Sequence, residues 1–398
     1  MTLLRRAAIV LATSSLLGVL AVVAWLALDR SGPGPASPDR SGNVELCGYG
    51  STHPIRSTGD HPPEVSKAAD ATFSSVADAM ASQSKARIQA VGLYAKLVAA
   101  MRRAGDENQG LTGDCADEPC QQRRWKIARE AAGPHSQKLA RLAVASQDPG
   151  AYALALYGCR LNRDDGACAQ LSAAQWSQLE PDNAVPWFYV AEEAAARKDE
   201  AAMSEALLRA SRAKTSDYYW STVLAMAETP AAGELDSAPR LVYLSQLLGI
   251  YAALPAPPYL AVRQACTADR MADSTRRQQC LDLATMMTER SKSLVELSLG
   301  TAIGERGGWP ADRVQRLRDE MDAISFIGQS EMLADDVHSC RFLELLKVRI
   351  GELNVLGELP SARRRLAASD RSVAVLAQGW RDLPRQRSSA SAPGSTPK

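Results

Sequence analysis

Ala184-Val185-Pro186-Trp187-Phe188-Tyr189-Val190-Ala191 opens a stretch that reads as helix to about Arg197, turns at Lys198-Asp199 and returns antiparallel over Ala201 to Ala213. Small and large residues alternate where the two helices must touch. Gly150 to Asp217 divides into two consecutive units of 34 residues, each reading as helix, short polar turn, helix. A fixed period of that length predicts stacked hairpins, because one unit alone cannot bury its apolar face.

The spacing resembles that of tetratricopeptide repeats. Trp187, Val190, Ala191 and Ala194 fall at that family's first-helix marks, and Met203, Leu207 and Ala210 at its second-helix marks. In the preceding unit Leu156, Ala169, Ala173 and the closing Pro181 agree, whereas Arg160 and the bulky Trp176 depart from the pattern. Thr215 stands where the second unit would close on Pro. The resemblance covers roughly a sixth of the chain. It implies a right-handed solenoid of helical hairpins whose first helices line a trough for a protein partner. In the repeat register Leu154, Phe188, Glu192, Tyr219, Thr222 and Met226 face that trough. Family members that grip a partner's C-terminal carboxylate use Lys and Asn there, so Phe188 and Glu192 argue against that mode. The competing expectation puts Phe188 and Tyr219 in the core, since first-helix residues also pack inward.

Composition agrees with an all-α chain. Ala, Leu, Arg, Gln and Glu dominate the 398 residues, aromatics make up 5%, and no run alternates apolar with polar β-branched residues. A net charge of +1 offers no clustered cations for nucleic acid. Arg363-Arg364-Arg365 therefore reads as a solvated helix face.

Ala7 to Leu28 is apolar over about 22 residues, long enough to cross a hydrocarbon core. Arg5 and Arg6 precede it and Asp29 and Arg30 nearly cancel after it, which predicts a single span with the N-terminus in the cytoplasm. No small-x-small cleavage pattern follows, so a retained anchor is expected over a signal peptide. The rest of the chain then lies outside the cytoplasm, on a bacterial-type plan in the periplasm. Residues 29–63, rich in Pro, Gly and Ser, read as a tether, 64–384 as the helical domain with its repeats at 150–217, and 385–398 as a disordered tail.

Eight cysteines fit that compartment, since an even number outside a reducing cytosol is normally a disulfide set. Cys159 and Cys168 flank a predicted turn, as do Cys266 and Cys280, where antiparallel backbones come close enough to bond. Cys115 with Cys120 would close a small loop, and Cys47 with Cys340 remains by elimination. Zinc is poorly served: no Cys-x-x-Cys occurs and the four histidines lie apart in sequence.

Further helices are expected over Gln121 to Gln147, Tyr218 to Glu228, Ala238 to Leu254, Tyr259 to Asp269, Ser274 to Ile303, Ala311 to Gln329 and Glu331 to Leu356. Val65, Ala69, Phe73, Val76 and Met80 form one core stripe, and Val314, Leu317, Met321 and Ile324 another. Pro310 suits a first helical turn.

Little in the chain suggests chemistry. Cys47-Gly48-Tyr49-Gly50 contains Gly-x-Gly with no strand before it and no third glycine after it, so a turn is expected. Glu331, Asp335 and His338 would share one helix face, yet a single helix rarely makes a metal site, and a solvated face or helix-end cap is the expectation. The pairs Asp164-Asp165, Glu192-Glu193 and Asp335-Asp336 point different ways on a helix and are not preset acid/base pairs. No catalytic residue and no cofactor is expected. The function expected is a membrane-anchored adaptor or scaffold of the cell envelope, bound to an unidentified protein. The enzyme alternative is a cell-wall hydrolase, or its accessory subunit, since some lytic transglycosylases carry a helical solenoid. The catalytic domain of those enzymes has no counterpart here.

Overall fold

A computed structural model describes residues 44–45, 47–48, 52–53, 61–107, 118–334 and 337–390. The expected anchor at 7–28, most of the tether at 29–63, Cys115, Asp335 and residues 391–398 lie outside the described residues. So does the end of the Gly-x-Gly run. The described chain is helical apart from one small antiparallel ladder, β1 (Val44–Glu45) against β2 (Thr52–His53). No described helix is long and apolar enough to cross a membrane.

Two compact units are present. The first runs from Pro63 to Ala265; the second joins the described residues before Pro63 to those from Cys266 onward.

The first unit opens with α1 (Pro63–Ala81), whose Val65, Ala69, Phe73, Val76, Ala77 and Met80 are buried at helical spacing. It packs on α2 (Ala86–Glu107), and α2 on α3 (Glu118–Ser146). Pro134 sits inside α3, where it removes one amide donor. Asn162 is tied to α3 on both sides of Pro134: its Nδ2 donates to the Arg129 carbonyl (3.3 Å) and to Ser136 Oγ (3.4 Å).

Then come α4 (Pro149–Gly158), α5 (Ala173–Leu179), α6 (Ala184–Ala196) and α7 (Glu200–Arg212). Each begins on a side chain that accepts from the first turn: Asp148, Ser172, Asn183 and Asp199. Lys198 takes a left-handed φ of 60° at the α6–α7 turn, where the sequence places it. The second helix of the first 34-residue unit differs from expectation. It is a 3-10 turn at Gly166–Gln170 followed by seven-residue α5, because Leu171 is extended and Ser172 starts a new cap. The expected helix Tyr218 to Glu228 is likewise a 3-10 segment, Trp220–Glu228. α8 (Pro230–Gly233), α9 (Ser237–Ala253) and α10 (Tyr259–Ala265) complete the unit.

In the second unit, expected Ser274 to Ile303 is two helices, α11 (Ser274–Glu289) and α12 (Leu294–Gly307). Ser293 ends the continuity by accepting the Val295 amide at 3.1 Å as a cap. Gly308, at φ 95°, stops α12, and α13 (Ala311–Ala334) starts after Pro310, whose carbonyl accepts from Arg313 and Val314. α13 runs through Gln329 and Glu331, where a break was expected. α14 (Cys340–Leu356), α15 (Glu358–Ala368) and α16 (Val373–Ala390) follow. α16 continues past Arg385, so the helix ends later than the expected start of the tail; Arg, Gln, Ser and Ala there are tolerable helix formers. Ile324, Leu297, Leu359 and Ala362 form a buried cluster with Leu317 and Met321 against it, as the α13 stripe predicts.

Three disulfides link described cysteines: Cys159–Cys168, Cys266–Cys280 and Cys47–Cys340, with Cα–Cα distances of 5.5, 5.8 and 4.6 Å. Cys120 is also disulfide-bonded.

Candidate functional site

Four of the six residues expected to line a trough are buried. Leu154 and Phe188 are 0% exposed, Met226 1% and Tyr219 8%. The expectation of an open apolar floor is corrected for these four, which are core. The cause is the chain's own packing: α6 is enclosed by α5, α7 and α10, and Tyr259 of α10 sets its ring 5.8 Å from that of Phe188. Glu192 and Thr222 keep partial exposure. Thr222 turns its hydroxyl back to the Tyr219 carbonyl (2.5 Å), which leaves Glu192 as the polar group of that set.

Around Glu192 the surroundings are mixed. Desolvation pushes its carboxyl up from the usual range, Arg163 and Arg160 pull it back, and Glu193 adds to the rise. Arg163 pairs with Glu193, while Arg160 is exposed. Beneath lies an aromatic layer in which Trp176, the residue too bulky for the repeat pattern, is 0% exposed between Tyr157 (6.3 Å) and Tyr189 (5.8 Å). The Tyr157 hydroxyl donates to the Tyr218 carbonyl at 2.9 Å, and burial drives the Tyr157 and Tyr189 phenols far above their ordinary range. Both phenols stay neutral at physiological pH, and that of Tyr157 serves as a hydrogen-bond donor.

A second polar group gathers at the start of α2, the N-cap of α4 and the N-cap of the Trp220–Glu228 segment. Arg87 on α2 grips both oxygens of Asp148 (3.1 Å each) and lays its guanidinium 5.1 Å from the centre of the Tyr219 ring. Tyr219 donates to Glu180 Oε1 at 2.6 Å and holds a left-handed φ of 59°, a costly backbone for a bulky residue. Gly150 leaves room for this stack: a Cβ there would lie 2.6 Å from Arg87 Nε and 3.1 Å from Tyr219 Cδ1. Asn183, also fully buried, ties Glu180 and Asp217 to the same group.

In the second unit the arginine run is no solvated face. Arg363 reaches Glu320 (2.6 Å) and the Thr288 carbonyl (3.0 Å), so it pins α15 to α13 and to the end of α11. Arg365 is half-buried, its pKa lowered first by burial and then by Arg349; only Arg364 is exposed. Arg349 bridges Glu331 and Glu352. Glu331 is thus committed to an ion pair and His338 sits beyond the end of α13, so Glu331 and His338 do not share a helix face.

Two cysteines and two histidines become neighbours in the second unit. Cys47 is bonded to Cys340 and donates its amide to the His338 carbonyl (3.0 Å), and the His338 ring meets His61 edge-on at 5.5 Å. Cys47 and His61 lie far in sequence from His338 and Cys340, and no local motif joins the two pairs. No group of three or more His, Cys, Asp or Glu among the described residues is placed to hold a metal ion.

No protein-family model, no curated protein and no solved structure matches this chain.

Proposed function

We propose that this chain is a membrane-anchored, extracytoplasmic protein of stacked, tetratricopeptide-like helical hairpins that acts by binding another protein. The observation that supports the repeat register most directly is the hydrogen bonding of Asn183 with Asp217, 34 residues apart, at the junctions that open and close the second unit. Disulfides within the hairpins suit an oxidising compartment, and the apolar run at 7–28 supplies the anchor.

With Phe188 and Leu154 in the core, the surface offered to a partner is the polar rim of Arg160, Glu192 and Glu193 over the aromatic layer. Rims of this kind set register and on-rate more than affinity.

Photocrosslinking in intact cells tests this reading. A photoreactive residue at Glu192 should trap one defined protein, and the same residue at exposed Arg364 should not. A reporter fused after Lys398 should mature only outside the cytoplasm. Equal trapping at both positions, or a reporter active only inside, overturns the proposal.

A further inference from the structure

Two cysteines and two histidines from opposite ends of the chain converge beside the start of α14, which Ser339 caps through the Phe342 amide at 3.1 Å. We propose that reduction of Cys47–Cys340 turns this group into a zinc site made of the Cys47 and Cys340 thiolates and the His61 and His338 imidazoles. The inference does not depend on the protein-binding role above.

Geometry carries it. Two imidazoles on one tetrahedral zinc, with Zn–N of about 2.0 Å, place their ring centres on the order of 5 Å apart. The His61 and His338 rings are 5.5 Å apart, a separation of that order. The two cysteine Cα atoms are 4.6 Å apart, so opening the bond leaves both thiolates within reach of one ion. His338 precedes Cys340 by two residues, and the Cys47 amide is held on the His338 carbonyl, so three of the four ligands are positioned by one backbone contact. A set of two sulfurs and two nitrogens suits zinc above harder cations. His135, elsewhere in the chain, faces Lys96, Lys138 and Arg103, which repel a cation.

The chemistry balances. A dithiol reductant gives two electrons and two protons to the Cys47–Cys340 bond, leaving two thiols on the chain and a disulfide on the reductant. Zinc then replaces the two thiol protons, which leave to solvent, and forms two Zn–S bonds while the neutral imidazoles add their lone pairs. Closed disulfide and bound zinc exclude one another, so the group reads out the redox state of its surroundings.

Cobalt(II) is the probe. The full chain, oxidised or treated with a dithiol, is dialysed against cobalt(II) and its absorption recorded. The reduced chain should bind cobalt with tetrahedral visible bands and a thiolate charge-transfer band that Cys340→Ser abolishes and Cys168→Ser does not, and the oxidised chain none. His338→Ala and His61→Ala should each weaken binding by about tenfold or more. His61 lies outside every helix, so its variant remains informative if His338→Ala fails to fold. Binding by the oxidised chain, binding indifferent to both histidine variants, or absence of binding by a reduced chain overturns the proposal. So does loss of helical dichroism on reduction that added metal fails to restore.

Discussion

Asn183 holds Asp217 on both sides of the peptide: its Nδ2 donates to the Asp217 carbonyl at 2.8 Å and its Oδ1 accepts the Asp217 amide at 3.0 Å. The same oxygen caps α6 through the Val185 amide (3.2 Å), and Nδ2 also reaches Glu180 Oε2 (3.0 Å). Asn183→Ala removes all four and strands buried backbone groups, which should cost about 3 kcal/mol in urea unfolding. Asn183→Asp keeps the acceptor but sets a carboxylate against Glu180 and the Asp217 carbonyl, so it should be destabilised more at neutral than at acid pH. A loss below about 0.5 kcal/mol for the alanine variant would show that the junction is held by packing alone.

Phe188 and Glu192 separate core from surface on one helix. Phe188→Ala empties a fully buried site against Tyr259 and should lower stability by about 3 to 5 kcal/mol. Glu192→Gln should leave the melting temperature within a few degrees, because relief of a desolvated carboxylate offsets the lost attraction of Arg163 and Arg160. If Phe188→Ala melts like the wild type, Phe188 is not enclosed by α10 in the native packing.

Much of the helical order is legible because apolar period and caps coincide. The α1 stripe from Val65 to Met80 is buried residue for residue, and Lys198-Asp199 makes the turn that ends α6 and caps α7. The sequence is silent where two helices share one apolar phase: Leu283, Met287 and Leu297 continue a core face across the Arg290–Ser293 break, and only the Ser293 cap marks it. The left-handed Tyr219 carries no glycine or asparagine signal and is imposed by Glu180, Arg87 and the Asp217 side chain, which accepts the Tyr219 amide at 2.8 Å. The enclosure of Phe188 comes from α10, which is remote in sequence, and the Cys47, His61, His338, Cys340 group is tertiary in the same sense.

Two glycines of α2 should respond oppositely to a methyl group. At Gly92 a Cβ would lie 2.6 Å from the Ala77 carbonyl oxygen and 2.7 Å from the Met80 carbonyl carbon, both backbone and unable to yield. Gly92→Ala must therefore push α2 off α1, at a cost of about 2 kcal/mol or more. At Gly105, on the same helix, nothing lies within 4 Å of that position. Gly105→Ala should stabilise by about 0.5 kcal/mol by reducing the freedom of the unfolded chain. Guanidinium unfolding of both variants checks the sign; tolerance of Gly92→Ala contradicts the close α1–α2 approach, and destabilisation by Gly105→Ala contradicts the open space at that position.

Glu358 makes the stability of the second unit depend on pH. Its Oε2 accepts the Leu294 amide at 2.9 Å and the Ser293 hydroxyl at 3.4 Å, at the first turn of α12, where an ionised carboxyl is welcome. Burial outweighs those bonds and the attraction of Arg365, so the folded carboxyl titrates above the ordinary 4.5. The folded chain then binds this proton more tightly than the unfolded chain. Its contribution is fully present below pH 4.5 and is lost as pH rises through the folded value. Glu358→Gln keeps an acceptor for Leu294 and carries no charge, so its stability should be flatter between pH 4.5 and neutrality than that of the wild type. Urea midpoints measured at matched pH values give the comparison. Parallel curves for the two proteins would mean that Glu358 is no more desolvated in the folded state than in the unfolded one, and that Ser293 alone, without a charged neighbour, suffices to start α12.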